Sequence, residues 1–197
     1  MQRLICFNGG IGTGKDTAAN FLRGWTHGSF AYELKKMAIA TDPYVRMNNG
    51  EFIRLAELVV RVGLEKAKEH DDVRRYFQRL GTEGCRETFG QDCWVRLASS
   101  KTPEDRSCVF TDGRFENELL WIRKAGGITV NILGPNRRRK TTEAAQHVSE
   151  KPLPDHLFHY RLYNTGTLEQ LKKHMVTIAR SKTPKVLTTL GEPIEQH

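Results

Sequence analysis

One stretch near the start constrains this chain more than any other: Arg3-Leu-Ile-Cys-Phe-Asn-Gly-Gly-Ile-Gly-Thr-Gly-Lys-Asp-Thr17. Leu4 to Phe7 form a short apolar run that reads as a buried strand, and Ala18, Phe21, Leu22 and Trp25 follow at helical spacing. Between them lie Gly9, Gly12, Gly14 and Lys15. A glycine-rich turn in that position can aim backbone N–H groups at an anion. The helix adds the positive end of its dipole, and a lysine reaches the β- and γ-phosphates of a nucleotide. The pattern G-x-x-x-x-G-K-[ST] is met from Gly9 to Lys15, but Asp16 stands where a hydroxyl is wanted and Thr17 carries it one place later. This departure bears on metal binding more than on the phosphate cradle. Mg²⁺ is expected to be held partly through water by Asp16, Thr17 or a later carboxylate, with nucleotide phosphates supplying most direct ligands.

The rest of the chain reads as alternating strands and helices. Ser29-Phe-Ala31 is expected as a short strand leading into a helix with Leu34, Met37 and Ala38 on one side, which puts Lys35 and Lys36 at the mouth of a strand-to-helix turn. Residues 41–50 read as loop, Leu55, Leu58, Val59 and Val62 as a helix ending near Gly63, and Asp71 to Leu80 as a helix stopped by Gly81. Arg75 and Arg79 lie four apart on the far face of that last helix and Arg86 follows, so guanidinium groups can converge on one small anion. Trp94, Val95 and Ala98 predict a further helix, with Trp94 either a core residue or a base-stacking platform. Cys108-Val-Phe-Thr111 predicts a buried strand ending in Asp112-Gly113-Arg114. A carboxylate at the carboxyl end of such a strand faces the ligand crevice of an open α/β sheet, so Asp112 is a candidate for positioning Mg²⁺ and Arg114 for a phosphate.

A helix with Phe115, Leu119 and Ile122, a strand over Ile128–Leu133, a final strand over Tyr160–Tyr163 and a helix with Leu168, Leu171, Met175 and Ile178 complete the pattern. Between the last two strands, Gly134-Pro135 opens a polar excursion holding Asn136-Arg-Arg-Arg-Lys140 and His147-Val-Ser-Glu150. It suits a lid closing on donor phosphates, or alternatively a nucleic-acid contact. Residues 181–197 read as a tail without catalytic duty.

At 197 residues the chain accommodates one α/β domain with insertions. No stretch approaches the ~20 apolar residues of a membrane span and no signal-peptide pattern opens the chain, so a cytoplasmic protein is expected. Cys6, Cys85, Cys93 and Cys108 lack disulfide or metal-ligand spacing and read as reduced thiols; His156 and His159 read as surface histidines. The net charge of +8 favours an anionic partner, nucleotide or nucleic acid. Against the second stand the lack of aromatic–basic interleaving and of a second ATPase motif set.

Several of these stretches together resemble the deoxynucleoside monophosphate kinases of bacteriophages. They are Gly14-Lys-Asp-Thr17, Leu34-Lys35, Gln78-Arg-Leu-Gly-Thr-Glu83 with Arg86, Phe89-Gly-Gln-Asp-Cys-Trp94, Thr111-Asp-Gly-Arg-Phe115 with Glu118, His147-Val-Ser-Glu150, and Asn164-Thr-Gly-Thr-Leu168. The resemblance implies a P-loop α/β fold of three layers over residues 1–180: a parallel sheet of about five strands, an acceptor-binding insertion over 31–98 and a lid over 134–160. It implies transfer of the ATP γ-phosphoryl group to a deoxynucleoside monophosphate, with Mg²⁺. Lys15, Asp112, Arg79 and Arg114 would be catalytic, and Gly9, Gly12, Gly14, Asp16, Thr17, Arg137 and Arg138 would bind ATP. Lys35, Arg86, Trp94, Glu118, His147, Ser149 and Glu150 would bind the acceptor alongside Arg79 and Arg114. Where the family motif has a small aliphatic residue, this chain has Gly113. A homodimer is compatible with the resemblance. Other readings are a different small-molecule kinase on the same fold, of the dephospho-coenzyme A kinase kind, and a nucleic-acid-binding ATPase.

Overall fold

The apolar run at the start becomes β1 (Leu4–Asn8), buried through Phe7 and central to a six-stranded sheet. A computed structural model of the chain describes residues 2–134 and 151–192; the expected roles of Arg137, Arg138, His147, Ser149 and Glu150 lie outside them. The described chain forms two compact units, residues 2–30, 98–134 and 152–192 in one and residues 31–97 in the other.

In the first unit the sheet adds β2 (Thr26–Gly28), β5 (Cys108–Phe110), β6 (Ile128–Leu133), β7 (Tyr160–Tyr163) and β8 (Thr188–Leu190) in the order β2-β5-β1-β6-β7-β8. Every pairing is parallel. Side chains alternate across a strand, so Ile5 and Phe7 fall on one face with Val109, Val130, Ile132 and Leu162. That face is covered by α1 (Lys15–Asn20) and by the apolar stripe Leu171, Met175 and Ile178 of the chain's last helix, Leu168–Arg180. On the opposite face Cys6, Cys108 and Phe110 are buried. Phe110 stacks on Phe30 at 4.8 Å, and Trp121 meets both rings edge-on from the helix Glu116–Lys124. Hydrophobic runs buried on both faces are what an all-parallel sheet demands.

The second unit holds α2 (Tyr32–Thr41), a hairpin of β3 (Tyr44–Arg46) and β4 (Phe52–Arg54), α3 (Leu55–Val62), α4 (Leu64–Ala67) and α5 (Asp71–Arg79). A π-helical segment, Leu80–Arg86, then leads into α6 (Glu87–Phe89) and α7 (Cys93–Lys101), which carries the chain into the sheet unit. Its core joins Ala38, Val45, Ile53, Leu55, Leu58, Val73 and Phe77. The two later helices of the sheet unit, Glu116–Lys124 and Leu168–Arg180, are α8 and α9.

Five expectations are corrected. The second strand is Thr26–Gly28 rather than residues 29–31, because Gly28 is where the chain can lie flat on the Phe110 ring: a Cβ there would stand 2.5 Å from it. Residues 41–50 are not all loop: Tyr44–Arg46 pairs with Phe52–Arg54 across a turn closed by Gly50, at φ +92°. Gly81 does not stop its helix, since the chain continues as π-helix and ends only at Gly90, again at φ +92°. Tyr160–Tyr163 is not the last strand, because Thr188–Leu190 in the tail adds a sixth. His159 is buried, not on the surface.

Candidate phosphate-transfer site

The candidate phosphate loop runs from the carboxyl end of β1 into α1. Gly9, Gly12 and Gly14 all have positive φ, at +149°, +78° and +93°. At Gly9 a Cβ would stand 2.3 Å from the Ile132 carbonyl oxygen, and at Gly14 it would stand 2.4 Å from the Asn164 amide nitrogen. The glycines therefore serve both the backbone path and close approach. Inside the loop, Lys15 Nζ donates to the carbonyl oxygens of Gly9 at 2.8 Å and Gly10 at 2.7 Å. The ammonium is thus held along the loop, at the first turn of the helix. Thr13, 2 % exposed, donates from Oγ1 to the Gly10 oxygen at 3.0 Å. Asp16 is exposed and Thr17 half-buried on α1.

Beside this loop lies the turn after β5. β1 and β5 are neighbours in register, Cys6 opposite Phe110, and Asn8 Nδ2 donates to the Gly113 oxygen at 2.8 Å. Asp112 accepts from Ser29 Oγ through Oδ2 at 2.6 Å and from the Phe30 N–H through Oδ1 at 3.2 Å. Glu118, 3 % exposed, accepts the N–H groups of Arg114 at 2.7 Å and Phe115 at 3.0 Å through Oε2. Its carboxylate closes the N-terminal turn of α8 and sets the Asp112–Arg114 turn. Gly113 packs onto Cys6, where a Cβ would stand 2.4 Å from Sγ. Burial first, then the Glu118 and Asp112 carboxylates, pushes the Cys6 thiol well up, so it remains protonated.

Among the described residues no three His, Cys, Asp or Glu side chains cluster as a metal cage. The oxygen donors near the loop are instead Asp112, held by Ser29 and Phe30, with Asp16 and Thr17 on α1. A sparse, hard-oxygen set of this kind fits a cation that keeps phosphate and water ligands, as Mg²⁺ does.

The acceptor candidates Lys35, Arg79, Arg86 and Trp94 belong to the other unit. Lys35 is half-buried in the first turn of α2. Arg79 is exposed and paired with Glu83 at 2.9 Å. Arg86 is 2 % exposed and donates from Nη1 to the Gln91 oxygen at 2.6 Å. Trp94 is 5 % exposed, packs with Cys85 and Cys93, and donates from Nε1 to the Gly81 oxygen at 2.9 Å. Its ring is core, with no open face for stacking a base.

Three residues of the site were given no role from the sequence: Asn8, Ser29 and Asn164, the last quoted only as the start of a stretch carrying the resemblance. Each carried a signal of its own kind. Asn8 is a polar residue closing an apolar strand, Ser29 follows the glycine that ends β2, and Asn164 opens the turn into α9.

The family model for deoxynucleotide monophosphate kinase matches residues 29–175, well over half of the chain. No curated protein matches it. The matched segment includes the Asp112 turn and the whole second unit, while the phosphate loop precedes it and β8 follows it. With a six-stranded parallel sheet and a lysine-bearing glycine loop at the end of its central strand, the chain belongs to the deoxynucleotide monophosphate kinase family.

Proposed function

We propose that the protein transfers the γ-phosphoryl group of ATP to the phosphate of a deoxynucleoside monophosphate, giving ADP and the diphosphate. The observation that carries this reading is the glycine loop folded along the Lys15 ammonium beside the anchored Asp112 turn, in a chain of this family. An acceptor phosphate oxygen attacks the γ-phosphorus as the bond from that phosphorus to the β–γ bridging oxygen breaks. The nucleophile is already anionic at neutral pH, so no general base is required, and catalysis is positioning and charge neutralisation.

Lys15 is assigned the β- and γ-phosphates, the loop glycines and Thr17 the rest of the donor phosphates. Asp112, with Asp16 and Thr17, is assigned Mg²⁺, which when bound neutralises phosphate charge. Glu118 holds the turn that presents Asp112 and Arg114, which makes it a positioning residue rather than a direct contact. Arg79, Arg86 and Lys35 are assigned the acceptor monophosphate, and Arg137 and Arg138 the donor. The test is a coupled ADP-release assay with each deoxy- and ribonucleoside monophosphate in turn. Turnover with one or more deoxynucleoside monophosphates is expected. Failure of all of them would move the chain to another small-molecule acceptor.

A further inference from the structure

The tail beyond α9 reaches the phosphate loop through a short series of contacts inside the sheet unit. β8 lies parallel to β7, from Tyr160 opposite Thr188 to Leu162 opposite Leu190. The chain therefore leaves β8 at the carboxyl end of the sheet, the end at which the phosphate loop leaves β1. There Gly191 has φ +76°, and a Cβ on it would stand 2.4 Å from the Tyr163 oxygen, so the tail backbone lies directly on residue 163. One residue later the Glu192 oxygen accepts from Thr165 Oγ1 at 3.2 Å. Between these two anchor points stands Asn164. Its N–H donates to the Leu133 oxygen at 2.6 Å and its Nδ2 to the Thr13 oxygen at 2.9 Å. That amide also occupies the place a side chain on Gly14 would take, immediately before Lys15.

We propose that β8 and its exit, Gly191-Glu192, are a positioning element of the donor-phosphate site: they hold residues 163–165, and Asn164 in turn fixes the Thr13 carbonyl and the set of the phosphate loop. The inference rests on the reading of that loop as the ATP site, and it concerns a segment outside the residues the family model matches. Thr165 to Gln170 are exposed, so the tail contacts at residues 163 and 165 add to the Asn164 bonds in fixing this turn. A loop that spends less time in its phosphate-competent set binds phosphate more weakly in proportion to the lost population. The acceptor is held elsewhere and is unaffected.

The experiment measures ADP affinity by calorimetry, together with KM for ATP and for the monophosphate. It uses the full chain and the variants Asn164→Ala, Thr165→Val, Gly191→Ala and Asn164→Ala/Thr165→Val. Losing the Asn164 hydrogen bond weakens ADP binding by about five- to tenfold, the contribution of one such bond. Thr165→Val and Gly191→Ala weaken it about two- to fourfold, and the double variant binds as Asn164→Ala does, because the tail acts through that residue. KM for ATP rises in step while KM for the monophosphate stays constant, a split that a loss of folded protein would not produce. Wild-type ADP affinity in both Thr165→Val and Gly191→Ala overturns this inference alone, as does a parallel rise of both KM values. Absence of ADP binding by the unaltered chain overturns it together with the functional reading beneath it.

Discussion

Lys15 is half-buried, and its ammonium donates to the loop carbonyls of Gly9 and Gly10. Lys15→Ala is therefore expected to leave the melting temperature within a few degrees while kcat falls by at least about 10²–10³-fold, the scale of losing one group aimed at developing charge. Circular dichroism beside the coupled assay checks both halves, and wild-type turnover by the folded variant would remove the assignment. Gly113 tests packing instead. A methyl there meets Cys6 Sγ and approaches Leu119, so Gly113→Ala should cost about 1–3 kcal/mol in urea unfolding. Cys6→Ala/Gly113→Ala should recover most of it, because the sulfur occupies the space the methyl needs; additive losses would contradict the contact. At His159, Nδ1 accepts the Thr129 N–H at 3.0 Å, and burial followed by the Arg123 charge lowers its pKa from 6.5 to about 4. Above pH 6.5 the ring is neutral folded or unfolded and its contribution is whole. As pH falls from 6.5 to about 4 the unfolded chain takes a proton that the fold resists, so stability declines across that window. The urea midpoint should drop between pH 7 and 4.5, and His159→Asn, which keeps an acceptor, should flatten that dependence.

At the scale of elements, the π-helical stretch Leu80–Arg86 separates two arginines that the sequence presented as alike. Arg79 is exposed and pairs with the exposed Glu83, so Arg79→Ala should leave stability unchanged while raising KM for the monophosphate about tenfold over that for ATP. Arg86 is buried on a backbone carbonyl, so Arg86→Ala should cost a few kcal/mol in thermal unfolding before any kinetic effect is read. An unchanged melting temperature in Arg86→Ala would contradict the burial. The wide turn could not be read beforehand, because Gly81 looks like a helix stop. The Trp94 indole bonded to the Gly81 oxygen, and Leu34 packed against Gly81, hold the chain where the helix continues through it. Strands were legible where apolar residues ran together, as in Leu4–Asn8, Cys108–Phe110 and Ile128–Leu133, since burial on both faces leaves little room for polar positions. Tyr44–Arg46, Phe52–Arg54 and Thr188–Leu190 have three residues each, and the first two bury only their middle one, too short a pattern for a period to appear. The glycine loop was legible because its residues are contiguous in sequence. Ser29 on Asp112 and Asn164 on Thr13 were not, because those pairs are 83 and 151 residues apart.

At the scale of the whole molecule the question is what the charge of +8 serves. The hairpin qualifies the expectation of no aromatic–basic interleaving, for Tyr44, Arg46, Phe52 and Arg54 are all exposed and alternate along their strands with the buried Val45 and Ile53. Yet Arg54 is bonded to Asp42 at 2.9 Å, and the Arg46 N–H donates to Asp72 Oδ2 at 2.9 Å. Burial pushes the Asp72 carboxyl up, but that backbone bond, Arg75 and last the Arg46 charge together bring it below its usual range. Arginines already answered by carboxylates have less to offer a phosphate backbone. The densest run of positive charge in the sequence is Arg137, Arg138 and Arg139, after Gly134-Pro135. Residues 155–192 belong to the sheet unit, with the Leu157 oxygen accepting from Thr129 Oγ1 at 2.7 Å. If the three arginines act on the donor phosphates, replacing all three with glutamine should lower kcat for nucleotide phosphorylation by about 10²-fold or more, since each cation acts where charge develops in a closed site. If they serve nucleic acid, the same variant should keep its turnover and lose DNA affinity, with a salt slope reduced by up to about three contacts. We expect the first outcome. Steady-state kinetics beside a DNA titration at two salt concentrations decides it, and unchanged kcat with lost DNA binding would assign the charge to nucleic acid.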